Sequence, residues 1–352
     1  MISFKITLQT ILAAAILLCV GMVSVQAQTT TWNGSVSSDW NNGANWSNGV
    51  PGSSSRAVIT NFTNKPILST TATVNTIQLG SYYPGAGVTF LTVVAGGDLT
   101  ITNEIEFNGN GGSLHIDGGT VNHTGTTLDW GTNVNRYIQM TSGNFSTNAN
   151  FSINGGNNTS QPGFTAGSGT AVFNGNLTVP SSSKRFDLGD GEVLVEGDFL
   201  VGSGSQFNVL SGELVVNGTT TVNGTFNGDD GITSYYGEIT IGSGGVLNLG
   251  TGIINFNAST SIGDNGTVNF GSGEVNFGTD VLVQSSGFVN VQDATVNIVG
   301  DADFSNNGNL SVNNGTINVG GNASVTSGGT ISLGGGNLNL EGDLSVTGGS
   351  NF

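Results

Sequence analysis

Four carboxylates in the first half of the chain are of the type that a sugar-cleaving site needs: Glu104, Glu106, Asp117 and Asp129. Glycoside hydrolysis uses two carboxyl groups that face one cleft at a suitable separation. These four are spread over two long turns of the repeat described below, where a pair can converge. A carbohydrate-binding or polysaccharide-degrading protein that uses residues 97–168 is therefore the alternative that we carry forward.

The basic side chains and the two histidines give weaker signals. A polysaccharide lyase needs a base that abstracts a proton, and Lys184 with Arg185 is the one pair of adjacent cations in the sequence. This pair lies beside Asp187, which fits a solvated loop better than a site. His115 and His123 accompany no serine motif of a nucleophilic triad. We predict no catalytic residue and no enzymatic activity.

Acidic residues also recur at one corner of the predicted coil: Asp198, Asp280, Asp301 and Asp343, with Asn322 in register. Side chains of Asp and Asn at corners commonly accept hydrogen bonds from turn amides. A calcium ion between neighbouring carboxylates is the alternative. We predict no cofactor and keep calcium as the alternative.

These positions are set by a repeat of 21 residues that begins at Gly252, Gly273, Ala294, Gly315 and Gly336. A fixed period of this length is typical of a solenoid, in which each repeat is one turn. Within one repeat the apolar residues fall in three pairs spaced by two, which places both members of a pair on one face of a strand. In the second repeat these pairs are Val275 and Phe277, Val281 and Val283, and Val289 and Val291.

Glycine, asparagine, aspartate and serine separate the pairs and favour tight corners. The sequence therefore predicts an all-β fold, a parallel β-helix (β-solenoid) with three short strands in each turn of about 21 residues. The general preference for right-handed parallel crossovers predicts a right-handed coil.

Three segments follow from these patterns. Residues 1–27 have the charged start, apolar centre and small-residue end of a secretory signal peptide. Residues 28–96 are predicted to form a tryptophan-rich cap and a first irregular turn. Residues 97–352 are predicted to form eleven full turns and an incomplete twelfth. Because no polar cap precedes Phe352, we expect further chain or a partner at that end.

One outward position repeats with each turn. Asparagine lies between two inward apolar residues in five successive turns, so these amides are predicted to stack on one outer face as a hydrogen-bonded ladder. The alternative is a flat polar face that binds a glycan or, less plausibly, ice. The residues are Asn255, Asn276, Asn297, Asn318 and Asn339.

Composition limits the partners. Removal of a leader that contains Lys5 leaves five basic residues against 23 acidic ones, a net charge of −18. Such a surface repels nucleic acid and anionic lipid. The one cysteine, Cys19, lies inside the leader, and no segment of the mature chain is apolar enough to span a membrane.

Three tryptophans mark the head of the mature chain: Trp32, Trp40 and Trp46. Their arrangement, W-x-G-x-x-S-x-x-W…N-W-x-x-G-x-P, resembles the head of large bacterial secreted surface proteins with β-solenoid bodies, a group that includes autotransporter-like and adhesin-like proteins. The resemblance implies an exported, cell-surface or matrix-associated adhesive protein with no shared catalytic residue, and surface glycans or matrix as partners. Physically, we interpret the tryptophans as part of a cap over the first turn; a carbohydrate platform is the alternative.

Taken together, these patterns predict a secreted or surface-located structural or adhesive β-solenoid. Its function would be geometric, that of a stiff stalk or filament segment that carries a head or loops away from the cell.

Overall fold

The computed structural model describes residues 28–60, 63–80, 89–108, 111–130, 136–154, 162–181, 183–242 and 244–352. The predicted leader lies outside these residues. The described chain is an all-β solenoid of about 13 turns, each of about 21 residues, built from parallel strands. This confirms the predicted fold class.

Strands at the N-terminal end are uneven in length, and several bend from one side of the coil to the next. One 3-10 turn, Gly43–Asn45, interrupts the head. The strands are β1 (Thr29–Trp32), β2 (Arg56–Ile59), β3 (Ile67–Leu68), β4 (Thr71–Leu79), β5 (Thr89–Val94), β6 (Asp98–Phe107), β7 (Gly112–His123), β8 (Thr127–Asp129), β9 (Arg136–Thr147), β10 (Phe151–Ser152) and β11 (Phe164–Ala166).

Beyond β11 every turn has three short strands. They are β12 (Thr170–Phe173), β13 (Leu177–Val179), β14 (Arg185–Leu188), β15 (Glu192–Val195), β16 (Phe199–Val201), β17 (Gln206–Val209), β18 (Glu213–Val216), β19 (Thr220–Val222), β20 (Thr225–Gly228), β21 (Ile232–Tyr235), β22 (Ile239–Ile241), β23 (Val246–Leu249), β24 (Ile253–Phe256), β25 (Thr260–Ile262), β26 (Thr267–Phe270), β27 (Glu274–Phe277), β28 (Val281–Val283), β29 (Phe288–Val291), β30 (Thr295–Ile298), β31 (Ala302–Phe304), β32 (Asn309–Val312), β33 (Thr316–Val319), β34 (Ala323–Val325), β35 (Thr330–Leu333), β36 (Asn337–Leu340) and β37 (Leu344–Val346).

Every third strand stacks on the same side, which gives the coil three faces. Face A contains β14, β17 and every third strand up to β35; face B contains β12, β15 and so on up to β36; face C contains β10, β13 and so on up to β37. Upstream, β7 and β9 are long enough to contribute to both face A and face B, because each bends at an irregular register.

The register explains why most repeats begin with glycine. The turns stack so closely at this corner that a Cβ atom on Gly273 would lie 2.1 Å from the carbonyl oxygen of Gly252, and one on Gly252 would lie 2.0 Å from that of Gly231. Real Cβ atoms do not approach backbone this closely, so glycine lets the corner carbonyls stack one above another.

Inward side chains form continuous columns along the axis, and phenylalanine rings fill one of them. Phe164 stacks on Phe186 at 4.7 Å between ring centroids, Phe186 on Phe207 at 4.6 Å, and Phe207 on Phe226 at 5.6 Å. All four side chains are buried. The core of one turn is therefore completed by its neighbours, which is why the turns are stable only as a stack.

The head differs in detail from the sequence-based division. Strand β1 already pairs in parallel with β2, and β2 with β4, so residues 29–79 contribute stacked strands as well as a cap. At the other end, Leu344 and Val346 are 39% and 40% exposed; cover by further chain or a partner stays a prediction. Among the described residues, no helix has the length and apolarity that a membrane span requires.

Candidate functional site

The asparagines at the middle of the face B strands form an unbroken ladder of side-chain amides. Each Nδ2 donates to the Oδ1 of the asparagine one turn earlier, and Asn255 donates to Ser234 Oγ at 3.3 Å. The donor–acceptor distances are 3.1 Å for Asn276 to Asn255, 2.9 Å for Asn297 to Asn276, 2.9 Å for Asn318 to Asn297, and 2.8 Å for Asn339 to Asn318. Each amide keeps one N–H and one lone pair that the ladder does not use.

We expect Asn297→Ala to lower the free energy of unfolding by about 1–2 kcal/mol, because the change removes two hydrogen bonds from the half-buried middle of the ladder. Urea unfolding followed by circular dichroism measures this loss. Asn314→Ala is the control, since the exposed Asn314 amide donates only to Asp293. An equal loss in both variants would show that the ladder adds nothing beyond ordinary surface contacts.

A second ladder on face A was not predicted. It runs from Asp187 Oδ1 through four asparagines, with donor–acceptor distances of 2.7–2.9 Å, and the members are Asp187, Asn208, Asn227, Asn248 and Asn269. The sequence signal was present, since each of these asparagines stands between two inward positions of its strand. It was missed because the turns from Asp187 to Asn248 deviate from the regular period.

The corner aspartates and asparagines bind backbone rather than one another. Asp280 Oδ1 accepts from the backbone N–H of Asp301 at 2.8 Å, Asp301 Oδ1 from that of Asn322 at 2.6 Å, and Asn322 Oδ1 from that of Asp343 at 3.0 Å. Asp198 does the same for Thr219. Each side chain thus satisfies an amide that the corner would otherwise leave without a partner. Among the described residues, no group of three or more His, Cys, Asp or Glu is arranged to hold a metal ion.

The three tryptophans pack against each other inside the head. Trp46 meets Trp32 edge-to-face at 5.0 Å and Trp40 at 4.8 Å, and its Nε1 donates to the carbonyl oxygen of Trp40 at 2.8 Å. Trp32 Nε1 donates to the carbonyl oxygen of Asn64. Trp32 and Trp40 are fully buried and Trp46 is 3% exposed. No indole face is therefore open to stack on a sugar.

The same segment covers the free edge of the first strand. Trp46 forms an antiparallel bridge with Trp32, and the backbone N–H of Ser47 donates to the carbonyl oxygen of Thr31. An exposed strand edge is a template for pairing with other chains. The head blocks that edge of β1 by folding back over it.

Of the four candidate carboxylates, three share one outer side of the early turns. Register places Glu104 opposite Thr127 and Glu106 opposite Asp129, whereas Asp117 lies on another side and accepts from Thr141 Oγ1 at 2.7 Å.

Glu106 is held in place from both sides. Arg56 forms an ion pair with its Oε2, and Asn108 Nδ2 donates to its Oε1 at 2.8 Å. The pKa of Glu104 is raised, first by burial and then by the nearby charges of Glu106 and Asp129, although Arg56 opposes the shift. The pair thus has one fixed carboxylate and one that holds its proton more readily.

The raised pKa of Glu104 predicts a pH-dependent effect of Glu104→Gln. A carboxyl group whose pKa is higher in the folded state destabilises the fold once it ionises, so this cost is absent at about pH 3.5 and complete well above the folded-state pKa. We therefore expect the variant to raise the melting temperature at pH 7 and to leave it unchanged at about pH 3.5. Glu341→Gln, at an exposed glutamate of the last turn, is the control and should show no such difference. A rise of equal size at both pH values would contradict the assignment.

The cations and histidines are engaged in structural contacts. Arg185 pairs with Asp187 at 3.0 Å. His123 is buried, with Nδ1 2.9 Å from Thr147 Oγ1 and Nε2 3.2 Å from the carbonyl oxygen of Asn103. Burial lowers the pKa of both His123 and His115, which favours neutral imidazoles in the fold.

His115 points outward and its ring lies between two aromatic rings. The centroid distance is 4.8 Å to Phe90 and 5.6 Å to Tyr137. Its Nε2 lies 3.2 Å from Ser113 Oγ. Because the faces of the imidazole are covered by its neighbours, it is not placed as a base that reaches a substrate.

Comparison with known proteins adds two findings. Residues 31–136 match the model of a family described as a domain of unknown function (DUF8693), so the match covers the head and the irregular early turns. A search of curated proteins gave no match. Among solved structures, the TibC-catalysed hyper-glycosylated fragment of TibA is similar at 19% sequence identity and a TM-score of 0.41, over 82% of this chain and 97% of that chain. A likeness at this level does not bear on function.

Proposed function

We propose that the protein is an exported structural β-solenoid that acts as a stiff, adhesive stalk or filament segment on the bacterial surface. The observation that carries this proposal is the uninterrupted parallel register from β12 to β37, in which side-chain ladders join one turn to the next on two faces. At about 4.8 Å for each stacked strand, about 13 turns extend roughly 60 Å. A rod of this kind holds its ends apart without a catalytic site.

Surface exposure is tested with antibodies against purified residues 28–352. We expect them to label intact, unpermeabilised cells of the source bacterium, and we expect protease treatment of those cells to remove the label. Label that appears only after permeabilisation would contradict export to the surface.

Adhesion is tested with beads coated with the same protein. They should bind to a polysaccharide or cell surface and release no soluble sugar. The second candidate, a polysaccharide-degrading protein, is favoured by one observation, the arrangement of Glu104 beside the fixed carboxylate of Glu106. Release of reducing ends that Glu104→Gln or Glu106→Gln abolishes would establish that candidate and contradict ours.

A further inference from the structure

Face A has an uncharged outer surface over seven successive strands, β17 to β35. Each strand presents two outward side chains, and none of them is acidic or basic. These residues are Gln206, Asn208, Thr225, Asn227, Val246, Asn248, Thr267, Asn269, Phe288, Asn290, Asn309, Ser311, Thr330 and Ser332.

This neutrality contrasts with the rest of the protein, which carries 23 acidic residues and a net charge of −17. Face B, for comparison, presents Glu192, Glu213 and Glu274 on its outer side. Depletion of charge is typical of surfaces that form contacts. A neutral ligand reaches face A without desolvating a charge.

Phe288 is the one aromatic side chain on this surface, and it is 36% exposed. Register places it between Thr267 on one side and Asn309 on the other, with Val246 and Thr330 one strand further out. Its smaller neighbours leave the ring as a raised apolar surface on a flat polar face. Packing inside the solenoid does not require a phenylalanine there, because the side chain points away from the core.

The asparagine ladder of face A is interrupted beside this ring. Asn269 Nδ2 donates to Asn248 at 2.8 Å, but Asn290, its register partner in the next turn, accepts instead from Asn313 Nδ2 at 3.2 Å. Among the described residues, no hydrogen bond joins Asn269 to Asn290. The Oδ1 of Asn269 and the Nδ2 of Asn290 therefore keep hydrogen-bonding capacity next to Phe288.

We propose that Phe288, Asn269 and Asn290 form a binding site for one sugar unit of a neutral polysaccharide. The C–H face of the sugar ring packs on the aromatic ring, whose face carries partial negative charge. The two amides supply one acceptor and one donor for the hydroxyl groups at the sugar's edge. This inference rests on the proposed adhesive function and assigns it a surface.

A second copy of the chain fits this surface less well. Seven stacked strands of four residues cover roughly 400 Å², about half of the roughly 800 Å² that each partner contributes to a standard interface. Two copies that each carry a net charge of −17 also repel one another.

The experiment measures binding of purified residues 28–352 to insoluble β-1,4-glucan, chitin, mannan and galactan, with polygalacturonate as the acidic comparison. Phe288→Thr places in this position the residue that precedes it in the column, Thr267. Tyr236→Thr is the matched control, since Tyr236 is 57% exposed but lies off face A. Melting curves and sedimentation of each variant report folding and self-association.

We expect the protein to bind a neutral polysaccharide, Phe288→Thr to weaken that binding about tenfold, and Tyr236→Thr to leave it unchanged, with all three melting alike. Asn290→Asp, which adds a charge to the face, should weaken it as well. Undiminished binding by both face A variants overturns this site alone and leaves the adhesive proposal intact, as does a loss of self-association in Phe288→Thr without a loss of polysaccharide binding. Failure of the unaltered protein to bind any neutral polysaccharide of the panel overturns the site and also counts against the adhesive proposal.

Discussion

Replacement of Phe207 by alanine is expected to lower the free energy of unfolding by about 3–5 kcal/mol. The ring is fully buried, stacks between Phe186 and Phe226, and meets Phe199 edge-to-face at 4.9 Å. Its loss leaves a cavity that the rigid stack of strands above and below cannot close. Chemical denaturation followed by far-ultraviolet circular dichroism measures the change.

The matched control for this change is Phe288→Ala, which removes the same side chain from an outward position of the same face. A ring that is 36% exposed packs on one side only, so we expect a loss of less than about 1 kcal/mol. Losses of similar size at Phe207 and Phe288 would mean that the inward and outward sides of face A are assigned incorrectly.

Replacement of Trp46 by alanine is expected to cost about 3–5 kcal/mol in the stability of the head and to cause concentration-dependent aggregation. The change removes the edge-to-face contacts with Trp32 and Trp40 and the hydrogen bond to the Trp40 carbonyl. Hydrogen exchange should then speed up first in β1 and β2, because loss of a cap frays a solenoid from its end.

Val36→Ala controls for a change in the same loop, since Val36 is 61% exposed. It should alter stability by less than about 0.5 kcal/mol and leave the protein monodisperse. Fast exchange spread evenly over all turns in Trp46→Ala would contradict a local capping role.

The regular half of the solenoid was predictable because one period controls it. Once Val275, Phe277 and their equivalents repeat every 21 residues, the inward columns, the outward asparagines and the parallel pairing of Asn276 with Asn297 all follow from strand geometry. Glycine at Gly252 and Gly273 reinforces the same register, because no larger side chain fits beside the carbonyl of the turn before.

The early turns were less predictable for a physical reason. Strands such as β7 and β9 bend across two faces at irregular registers, so the spacing of residues in the sequence no longer tells which side they occupy. Asp117 and Glu106 illustrate this, since both precede Asp129 by a short stretch but only Glu106 lies opposite it. Burial of the indoles of Trp32 and Trp40 likewise depends on how the head folds back, which no local pattern encodes.

The stacking of successive turns is the claim on which every part of this account depends, and a distance between two spin labels tests it most directly. Thr240 and Ser345 occupy the same outward column of face C and are separated by five strand steps along the pairs Thr240↔Ser261, Ser261↔Leu282, Leu282↔Asp303, Asp303↔Ser324 and Ser324↔Ser345. With nitroxide labels on cysteines at these two positions, electron–electron double resonance should give a narrow distribution centred near 24 Å, about 4.8 Å for each step. A broad distribution, or one centred beyond about 35 Å, would contradict the stacked solenoid.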